Sequence, residues 1–352
     1  MKRHIRWGVI GCGGIAARRT IPELTRAAEN AKLVSVMDAN KARAAEVAAQ
    51  FGVPHHCSEE SELLAQDLDA VYIASPPQAH ARQTVQAAQA GKHILCEKPM
   101  ALTLGEADDM AQACQAAGVC FMLGFCMRQN LYHAKARELV QAGVLGQPVM
   151  GRAQLTCWYP PIPGAWRQDQ AQSGGGALID MGTHCLDLLE WIFGSRIIEV
   201  AGFQDQLVQR YPTPVEDAST VVARFANGAH GIVDTYYNLP DAAAQNTLEL
   251  HGTGGSLIAQ GTIGQEPAGR MFGIFHRQDA YEADQTRGAA PRREEFRFEG
   301  RGIYGQMISQ FSQCLLDQQP PPITSADGRH SMALVQAIYC AGRERRVVTV
   351  EP

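Results

Sequence analysis

A glycine pattern near the start of the chain constrains its fold more than any other feature. The apolar run WGVI ends at Ile10, and a helical pattern begins a few residues later. Between them stand Gly11, Cys12, Gly13, Gly14, Ile15 and Ala16. In a dinucleotide-binding turn the first glycine permits the tight turn, the second lets the backbone approach a pyrophosphate, and the small third residue keeps the helix close to the sheet. The pattern alone also arises by chance, so its place between strand and helix carries the prediction.

A carboxylate, Asp38, ends the second predicted strand, 22 residues beyond Ala16. An acid at this place accepts hydrogen bonds from the adenosine ribose hydroxyls and repels a 2'-phosphate. The alternatives are that Asp38 only caps the following helix and that Lys41 and Arg43 accommodate a phosphate. The sequence predicts NAD rather than NADP as the cofactor.

The spacing of apolar residues along the chain changes near residue 125. Before it, short apolar runs alternate with helical patterns, as in parallel strands joined by crossover helices. After it, longer segments have a period of two, and Asn227-Gly228 between two of them favours a tight hairpin. We predict an α/β protein with a doubly wound parallel Rossmann sheet over 1–125 and a substrate-binding and oligomerisation α/β domain with a largely antiparallel open sheet over 126–352. A chain of 352 residues is long enough for two cores.

Composition argues against several classes of partner. The net charge is -5, and no block of Lys or Arg forms a footprint for nucleic acid or an anionic membrane. Every apolar stretch is too short to cross a bilayer. The ten cysteines include no Cys-x-x-Cys pair, which argues against a disulfide framework or a structural zinc site. We expect a cytoplasmic protein without a metal.

A lysine follows the strand HILC within Glu97-Lys98-Pro99. Open parallel sheets present their ligand-binding loops at the carboxyl ends of the strands. A lysine in such a loop can donate a hydrogen bond to a substrate hydroxyl. The same tripeptide elsewhere would more often be a surface turn, so its place after a strand favours a catalytic role for Lys98.

Three consecutive glycines, Gly174 to Gly176, precede a helical segment that contains Asp180 and His184. Residues four apart lie on one face of an α-helix and can act together. A histidine can take the proton of a hydroxyl while hydride leaves the same carbon, and a carboxylate can orient its ring. The alternative is a helix cap beside a buried histidine. We predict an acid–base pair.

These motifs, G-x-G-x-x-A, E-K-P and G-G-x-x-x-D-x-G-x-H, together resemble one family over nearly the whole chain. It is the glucose-fructose oxidoreductase and inositol dehydrogenase group, Gfo/Idh/MocA. The resemblance implies a Rossmann domain, then an α/β domain whose open sheet often builds a dimer or tetramer interface. It also implies catalytic roles for Lys98, Asp180 and His184, and a place for Glu97 near the nicotinamide ribose.

The resemblance assigns two further segments of the sequence. Ser75, Pro76 and His80 lie in a segment similar to the family's fourth-strand loop along the cofactor, although His80 could only begin the next helix. Trp166-Arg167 looks like the family's Trp-Arg pair at the mouth of the active site. We predict that the first three contact the cofactor and the last two the substrate.

Three more residues are predicted substrate contacts. Tyr159 lies in an aromatic-rich loop suited to stacking on the apolar face of a sugar, with core packing as the alternative for each aromatic residue. Arg128 resembles a family arginine near the cofactor or substrate. Tyr236 and Tyr237 end a strand that could face the pocket, and alternation aims only one of them inward. We choose Tyr236.

The sequence thus predicts an NAD-dependent dehydrogenase that moves a hydride between nicotinamide and a carbon of a sugar, polyol or sugar derivative. Much of the rate would come from binding and orientation, while the cofactor supplies the hydride chemistry. One alternative within the family is an NAD-dependent glycosidase that uses transient oxidation and elimination. Another is a non-catalytic nucleotide-binding regulator, which would tolerate loss of the lysine or of the acid–base pair. We expect a homodimer or homotetramer with no nucleic-acid or membrane partner.

Overall fold

The computed structural model describes residues 4–276 and 292–351. The strands of this part of the chain are β1 Ile5–Ile10, β2 Ala31–Met37, β3 His55–Cys57, β4 Ala70–Ile73, β5 His93–Cys96, β6 Phe121–Leu123, β7 Pro148–Thr156, β8 Ile197–Asp205, β9 Ala218–Phe225, β10 His230–Tyr236, β11 Leu248–Gly252, β12 Gly255–Gln260, β13 Arg270–Phe275, β14 Arg292–Phe296 and β15 Val348–Thr349. The α-helices are α1 Ile21–Ala27, α2 Lys41–Phe51, α3 Glu60–Leu64, α4 His80–Gln89, α5 Leu104–Ala117, α6 Leu131–Gln141, α7 Gln170–Ser173, α8 Thr183–Phe193, α9 Ile303–Asp317 and α10 Ser325–Glu344.

The chain divides into two compact units. Unit 1 comprises Met1–Cys126, Ala171–Gly174 and Gly302–Met332, and unit 2 comprises Met127–Gln170, Gly175–Arg301 and Ala333–Pro352. Unit 1 is therefore not one run of the chain. Helix α9 returns to it because the indole of Trp7 on β1 donates to Ser312 Oγ at 3.0 Å and packs against the ring of Phe311. The predicted boundary near residue 125 marks only the end of its first and longest run.

The sheet of unit 1 is parallel throughout, in the order β3-β2-β1-β4-β5-β6. This is the strand order of a dinucleotide-binding Rossmann fold. Its central strands β1 and β4 are apolar in nearly every position and almost wholly buried, as expected for strands covered on both faces. The predicted parallel sheet is confirmed.

Helix α5 of unit 1 begins and ends at capping residues. Thr103 and Glu106 form a reciprocal capping box at the start of α5, and Gly118 ends this helix with φ +65°. Such caps satisfy backbone groups that a helix end leaves without partners. Helix α4 begins later than the helical pattern of the sequence predicts, because a 3-10 turn precedes His80.

The sheet of unit 2 has the order β14-β13-β12-β11-β7-β10-β9-β8-β15. All of its pairings are antiparallel except that of β7 with β10. The hairpin predicted at Asn227-Gly228 joins β9 and β10, with Gly228 at φ +88°. The largely antiparallel sheet and the α/β fold class are thus confirmed.

One face of the unit 2 sheet is covered and the other is open. A β-carbon at Gly151 on β7 would meet Leu189 and Phe193 of α8 at 2.9 Å, so the helix lies directly on this strand. On the other face, Phe203 on β8 and Val222 on β9 expose half or more of their surface. This arrangement matches the predicted open sheet.

Candidate active site

The glycine turn after β1 leaves room for a ligand. Gly11 has φ +94°, and a β-carbon there would lie 2.8 Å from the backbone of Ala74. Gly13 has no such neighbour, because apart from its own atoms and those of its two chain neighbours, no atom of residues 4–276 and 292–351 lies within 4 Å of the position of its β-carbon. Ala16 is fully buried against the sheet. These are the three roles that a dinucleotide-binding turn gives to its small residues.

The helix after the turn begins at Gly14 and contains a π turn. The Ile21 amide donates to the Ala16 carbonyl rather than to the residue four positions earlier. The next residue, Pro22, has no N–H, and in a regular α-helix its ring would clash with the Arg18 carbonyl. The wider turn accommodates the proline, and π turns are frequent at functional sites.

Asp38 lies directly after β2 and holds the turn. Its Oδ2 accepts from the Cys12 amide at 2.9 Å, and its Oδ1 accepts from the Asn40 amide at 2.9 Å. Asn40, not Asp38, caps α2, since its side chain accepts from the amides of Ala42 and Arg43. Arg43 Nε donates to the Cys12 carbonyl at 3.1 Å. Asp38 therefore holds the turn and does not cap α2, while its contact with the ribose stays a prediction.

His80 lies between two loops of unit 1. Its Nδ1 lies 2.9 Å from the Pro99 carbonyl and its Nε2 lies 2.9 Å from the Ser75 carbonyl. The ring is buried, and burial lowers the pKa of His80. It thus links the loop after β4 to the loop after β5. This position favours a role in holding the loops, while contact of Ser75 and Pro76 with NAD stays a prediction.

Glu97 and Lys98 follow β5, and the Lys98-Pro99 peptide is cis. Glu97 is buried and accepts from the hydroxyl of Tyr72 at 2.5 Å, and that hydroxyl accepts from Thr20 Oγ1 at 3.0 Å. Burial, reinforced by the charge of Glu97, raises the pKa of Tyr72 well above its ordinary value. Tyr72 therefore stays a donor. No local pattern in the sequence marks this tyrosine as a site residue, because its partners come from separate elements.

Asp180 is the centre of the polar cluster in unit 2. Its Oδ2 accepts from the hydroxyl of Tyr237 at 2.8 Å and from Arg167 Nε at 3.1 Å. The Arg167 guanidinium lies over the ring of Trp166, 4.2 Å from its centroid. Burial and the charge of Asp180 raise the pKa of Tyr237 well above its ordinary value. Both partners therefore donate to the carboxylate, which favours its ionised form.

Aromatic rings surround this cluster. Tyr159 packs 5.1 Å from Tyr237, measured between ring centroids, and Tyr211 packs 6.4 Å from Tyr237. The Tyr211 hydroxyl donates to the Tyr159 carbonyl at 2.6 Å. The structure thus brings the predicted residues Tyr159, Trp166 and Arg167 together with Asp180, and adds Tyr211.

Tyr237, rather than the predicted Tyr236, contacts Asp180. The hydroxyl of Tyr236 is hydrogen-bonded to Thr220 on the neighbouring strand β9. Tyr237 lies just beyond the end of β10 and is almost fully buried. Alternation alone identifies two possible tyrosines, and the register of the sheet decides between them.

Arg128 pairs with Asp187 of α8. Its Nε donates to Asp187 Oδ2 at 3.0 Å, a second nitrogen donates to the other carboxylate oxygen, and the two side chains are only 10% and 5% exposed. A buried bidentate pair of this kind fixes the orientation of the guanidinium and pairs its charge. The structure favours a structural role for Arg128 over the predicted substrate contact.

His184 lies in the first turn of α8 and is buried. Asp180 belongs to the preceding π turn, Leu178–Gly182, in which the Thr183 amide donates to the Leu178 carbonyl. The regular α-helical spacing assumed from the sequence is therefore interrupted between the two side chains. Their action as an acid–base pair stays a prediction.

Within residues 4–276 and 292–351, no group of three or more His, Cys, Asp or Glu side chains could hold a metal ion. None of the helices described for this chain is long and apolar enough to span a membrane.

Comparisons with known proteins identify the family. Residues 5–125 match the model of the GFO/IDH/MocA oxidoreductase family with NAD-binding Rossmann fold, and residues 133–258 match the GFO/IDH/MocA C-terminal domain. The chain is 28% identical over 347 residues to 1,5-anhydro-D-fructose reductase from Ensifer adhaerens, with 98% of each chain covered.

Solved structures agree with these matches. The aldose-aldose oxidoreductase from Caulobacter crescentus complexed with glycerol has a TM-score of 0.87 at 25% identity, covering 99% of this chain and 100% of that one. Levoglucosan dehydrogenase in complex with NADH has a TM-score of 0.84 at 25% identity, again covering 99% and 100%. The chain belongs to the GFO/IDH/MocA family of oxidoreductases, and unit 1 contains its NAD-binding Rossmann domain.

Proposed function

We propose that the protein is an NAD-dependent dehydrogenase or reductase of a sugar, polyol or sugar derivative. The observation that carries this proposal is the cluster in unit 2, where an Asp180 carboxylate held by two donors lies among aromatic side chains. Carboxylates accept from sugar hydroxyls, and aromatic faces stack on sugar rings. The relatives named above also act on sugars.

The cofactor fits the turn of unit 1. The open space at Gly13 would receive the pyrophosphate, and the Asp38 carboxylate would accept from the ribose hydroxyls. When bound, NAD supplies the acceptor or donor of the hydride. The chain itself supplies binding, orientation and proton handling.

The proton-handling roles belong to three side chains. Lys98 would donate to the reacting oxygen of the substrate, and His184 would take or return its proton. Asp180, kept ionised by Arg167 and Tyr237, would accept from a substrate hydroxyl and favour the imidazolium form of His184. The remaining aromatic residues of the cluster would contact the sugar ring.

The open face of the unit 2 sheet is the proposed subunit interface. Exposed apolar patches on a folded protein mark interaction sites, and Phe203 exposes 73% of its surface on this sheet. A homodimer or homotetramer would cover the face.

The proposed compartment is the cytoplasm. All ten cysteines are free, as expected in a reducing compartment of this kind.

A substrate panel tests the proposed function. The purified protein is assayed with NAD on sugars, polyols and aryl glycosides, following NADH absorbance and aglycone release. Net NADH formation is the expected result. Aglycone release without net NADH would instead indicate a glycosidase, and silence on both readouts with NAD retained would indicate a regulator.

Two substitutions test the catalytic roles. Lys98→Ala and His184→Ala should each lower kcat by about 100-fold or more and leave the Kd of NAD nearly unchanged. Lys92→Ala is the matched control for the lysine, because Lys92 Nζ donates to the carbonyls of Gln66 and Leu68 away from the loop. The exposed His55 at the start of β3 in unit 1 supplies the histidine control, as His55→Ala. Retained turnover in either test variant would remove that residue from the mechanism.

A further inference from the structure

The glycine turn before Asp180 is filled by the protein itself. A β-carbon at Gly176 would overlap the carbonyl oxygen of Glu216, and one at Gly175 would overlap the hydroxyl of Tyr339. Neither glycine has a positive φ. The glycines are therefore explained by close approach of Glu216 and Tyr339, not by backbone strain.

The carboxylate of Glu216 binds the backbone of this turn. Glu216 is only 8% exposed. Its Oε2 accepts from the Gly176 amide at 2.9 Å, and its Oε1 accepts from the Leu178 amide at 2.9 Å and from the Tyr339 hydroxyl at 2.9 Å. The Glu216 backbone carbonyl also accepts from the Ala177 amide at 3.0 Å. Burial raises the pKa of Glu216, and the three donors oppose this rise because they favour the ionised carboxylate, which only accepts.

The contacts of Glu216 lead directly to Asp180. The Asp180 amide donates to the carbonyl of Gly176, the residue whose own amide Glu216 holds. On the other side, the Tyr237 amide donates to the carbonyl of Asp217 at 2.7 Å. Two consecutive residues, 216 and 217, thus fix the backbone on both sides of the hydrogen bond between Tyr237 and Asp180.

We propose that Glu216, supported by Tyr339, is a positioning residue that sets where the Asp180 carboxylate lies relative to the Tyr237 hydroxyl. This inference rests on the proposed role of Asp180. Displacement of a catalytic group by about 1 Å can cost about 100-fold in rate. Accepting from all three donors offsets the cost of desolvating this buried carboxylate, and a neutral amide cannot accept from all three. Glutamine has one acceptor oxygen, and its NH₂ would face a backbone N–H.

The test compares Glu216→Gln and Tyr339→Phe with Glu190→Gln. Glu190 is the matched control because it is also buried, at 6% exposure, and accepts from a backbone amide, that of Ile197 at 2.6 Å, at the far end of α8. Kinetics on the substrate found in the panel give kcat and KM, and thermal unfolding gives stability. We expect Glu216→Gln to lower kcat by about 30-fold and Tyr339→Phe by about 5-fold, with KM and the Kd of NAD changed by less than about 3-fold. Glu190→Gln should lose stability yet keep kcat within about 2-fold.

A double-mutant cycle tests how the substitution of Glu216 lowers kcat. If Glu216 acts through the contact between Asp180 and Tyr237, the loss caused by Glu216→Gln should shrink in a Tyr237→Phe background, because the contact is already absent. Equal losses in both backgrounds would overturn the inference. So would a wild-type kcat in Glu216→Gln, or a fall no larger than that of Glu190→Gln at the same loss of stability.

A structural readout separates this inference from the proposed function. In crystals of Tyr339→Phe, and of Glu216→Gln if it folds, the distance from the Tyr237 hydroxyl to Asp180 Oδ2 should lengthen from 2.8 Å to beyond hydrogen-bond range. An unchanged distance would refute the positioning role even if the enzyme is active. An inactive wild-type protein with a lengthened distance in the variants would refute the proposed function alone.

Discussion

The two glycine-rich turns of this protein have the same local pattern and opposite surroundings. Each turn leads into a π turn, Ala16–Thr20 in unit 1 and Leu178–Gly182 in unit 2, and then into an α-helix. At Gly13 the space around the position of a β-carbon is free of described residues other than the adjacent ones, whereas at Gly176 the same position is taken by Glu216. Glycine in such a turn therefore indicates that another group approaches the backbone closely. Only the fold determines whether that group belongs to a ligand or to the protein.

The two turns also differ in what they hold in place. In unit 1 Asp38 holds the turn by accepting from the Cys12 amide, and the space at Gly13 is the proposed place of the cofactor. In unit 2 Glu216 holds the turn, and the proposed functional group is the side chain of Asp180, one helical turn later. In this proposal the first turn binds with its backbone, while the second supports a side chain.

Gly176→Ala should have the largest effect. The new methyl group would overlap a backbone carbonyl that also accepts the Ala177 amide, so neither side can move cheaply. We expect a loss of about 3 kcal/mol or more in the free energy of unfolding, measured by urea denaturation. Wild-type stability in this variant would mean that the turn of unit 2 is open, and the contrast between the turns would fail.

Gly13→Ala should separate binding from stability. In the part of the chain that the structure describes, only residue 13 itself and its two neighbours come within 4 Å of the new methyl group, so the free energy of unfolding should change by less than about 1 kcal/mol. The Kd of NAD should rise by about 10-fold or more, because the methyl group enters the space proposed for the pyrophosphate. Isothermal titration of NAD gives this Kd. A loss of stability without a loss of NAD affinity would reverse the assignment.

Gly105→Ala should have the smallest effect and serves as a control for glycine substitution as such. Gly105 lies in the first turn of α5, and beyond its chain neighbours and the backbone of its own helix, no described atom lies within 4 Å of its β-carbon position. Alanine should stabilise the helix by about 0.5 to 1 kcal/mol without changing the Kd of NAD. Thermal unfolding and NAD titration check both expectations. If this variant also bound NAD weakly, the effect of Gly13→Ala would not be specific to the turn.

Much of unit 1 could be predicted because its signals are local. The strand, glycine turn and helix are consecutive in the chain, and Asp38 follows the next strand at a spacing fixed by one crossover helix. The parallel order of the sheet follows from alternating strands and helices. The hairpin at Asn227-Gly228 in unit 2 was predicted for the same reason, since a two-residue turn encodes its own geometry.

The sequence by itself therefore determined the fold class, the cofactor turn and the family motifs, each within a short segment. Tertiary structure alone decided which tyrosine reaches Asp180, that Arg128 pairs with a residue 59 positions away, and that Glu216 meets Gly176 and Tyr339 across 40 and 123 positions. Long-range pairings depend on sheet register and on the side chains that fill each space, and no local pattern encodes either. For that reason the same glycine pattern forms an open turn in unit 1 and a filled turn in unit 2.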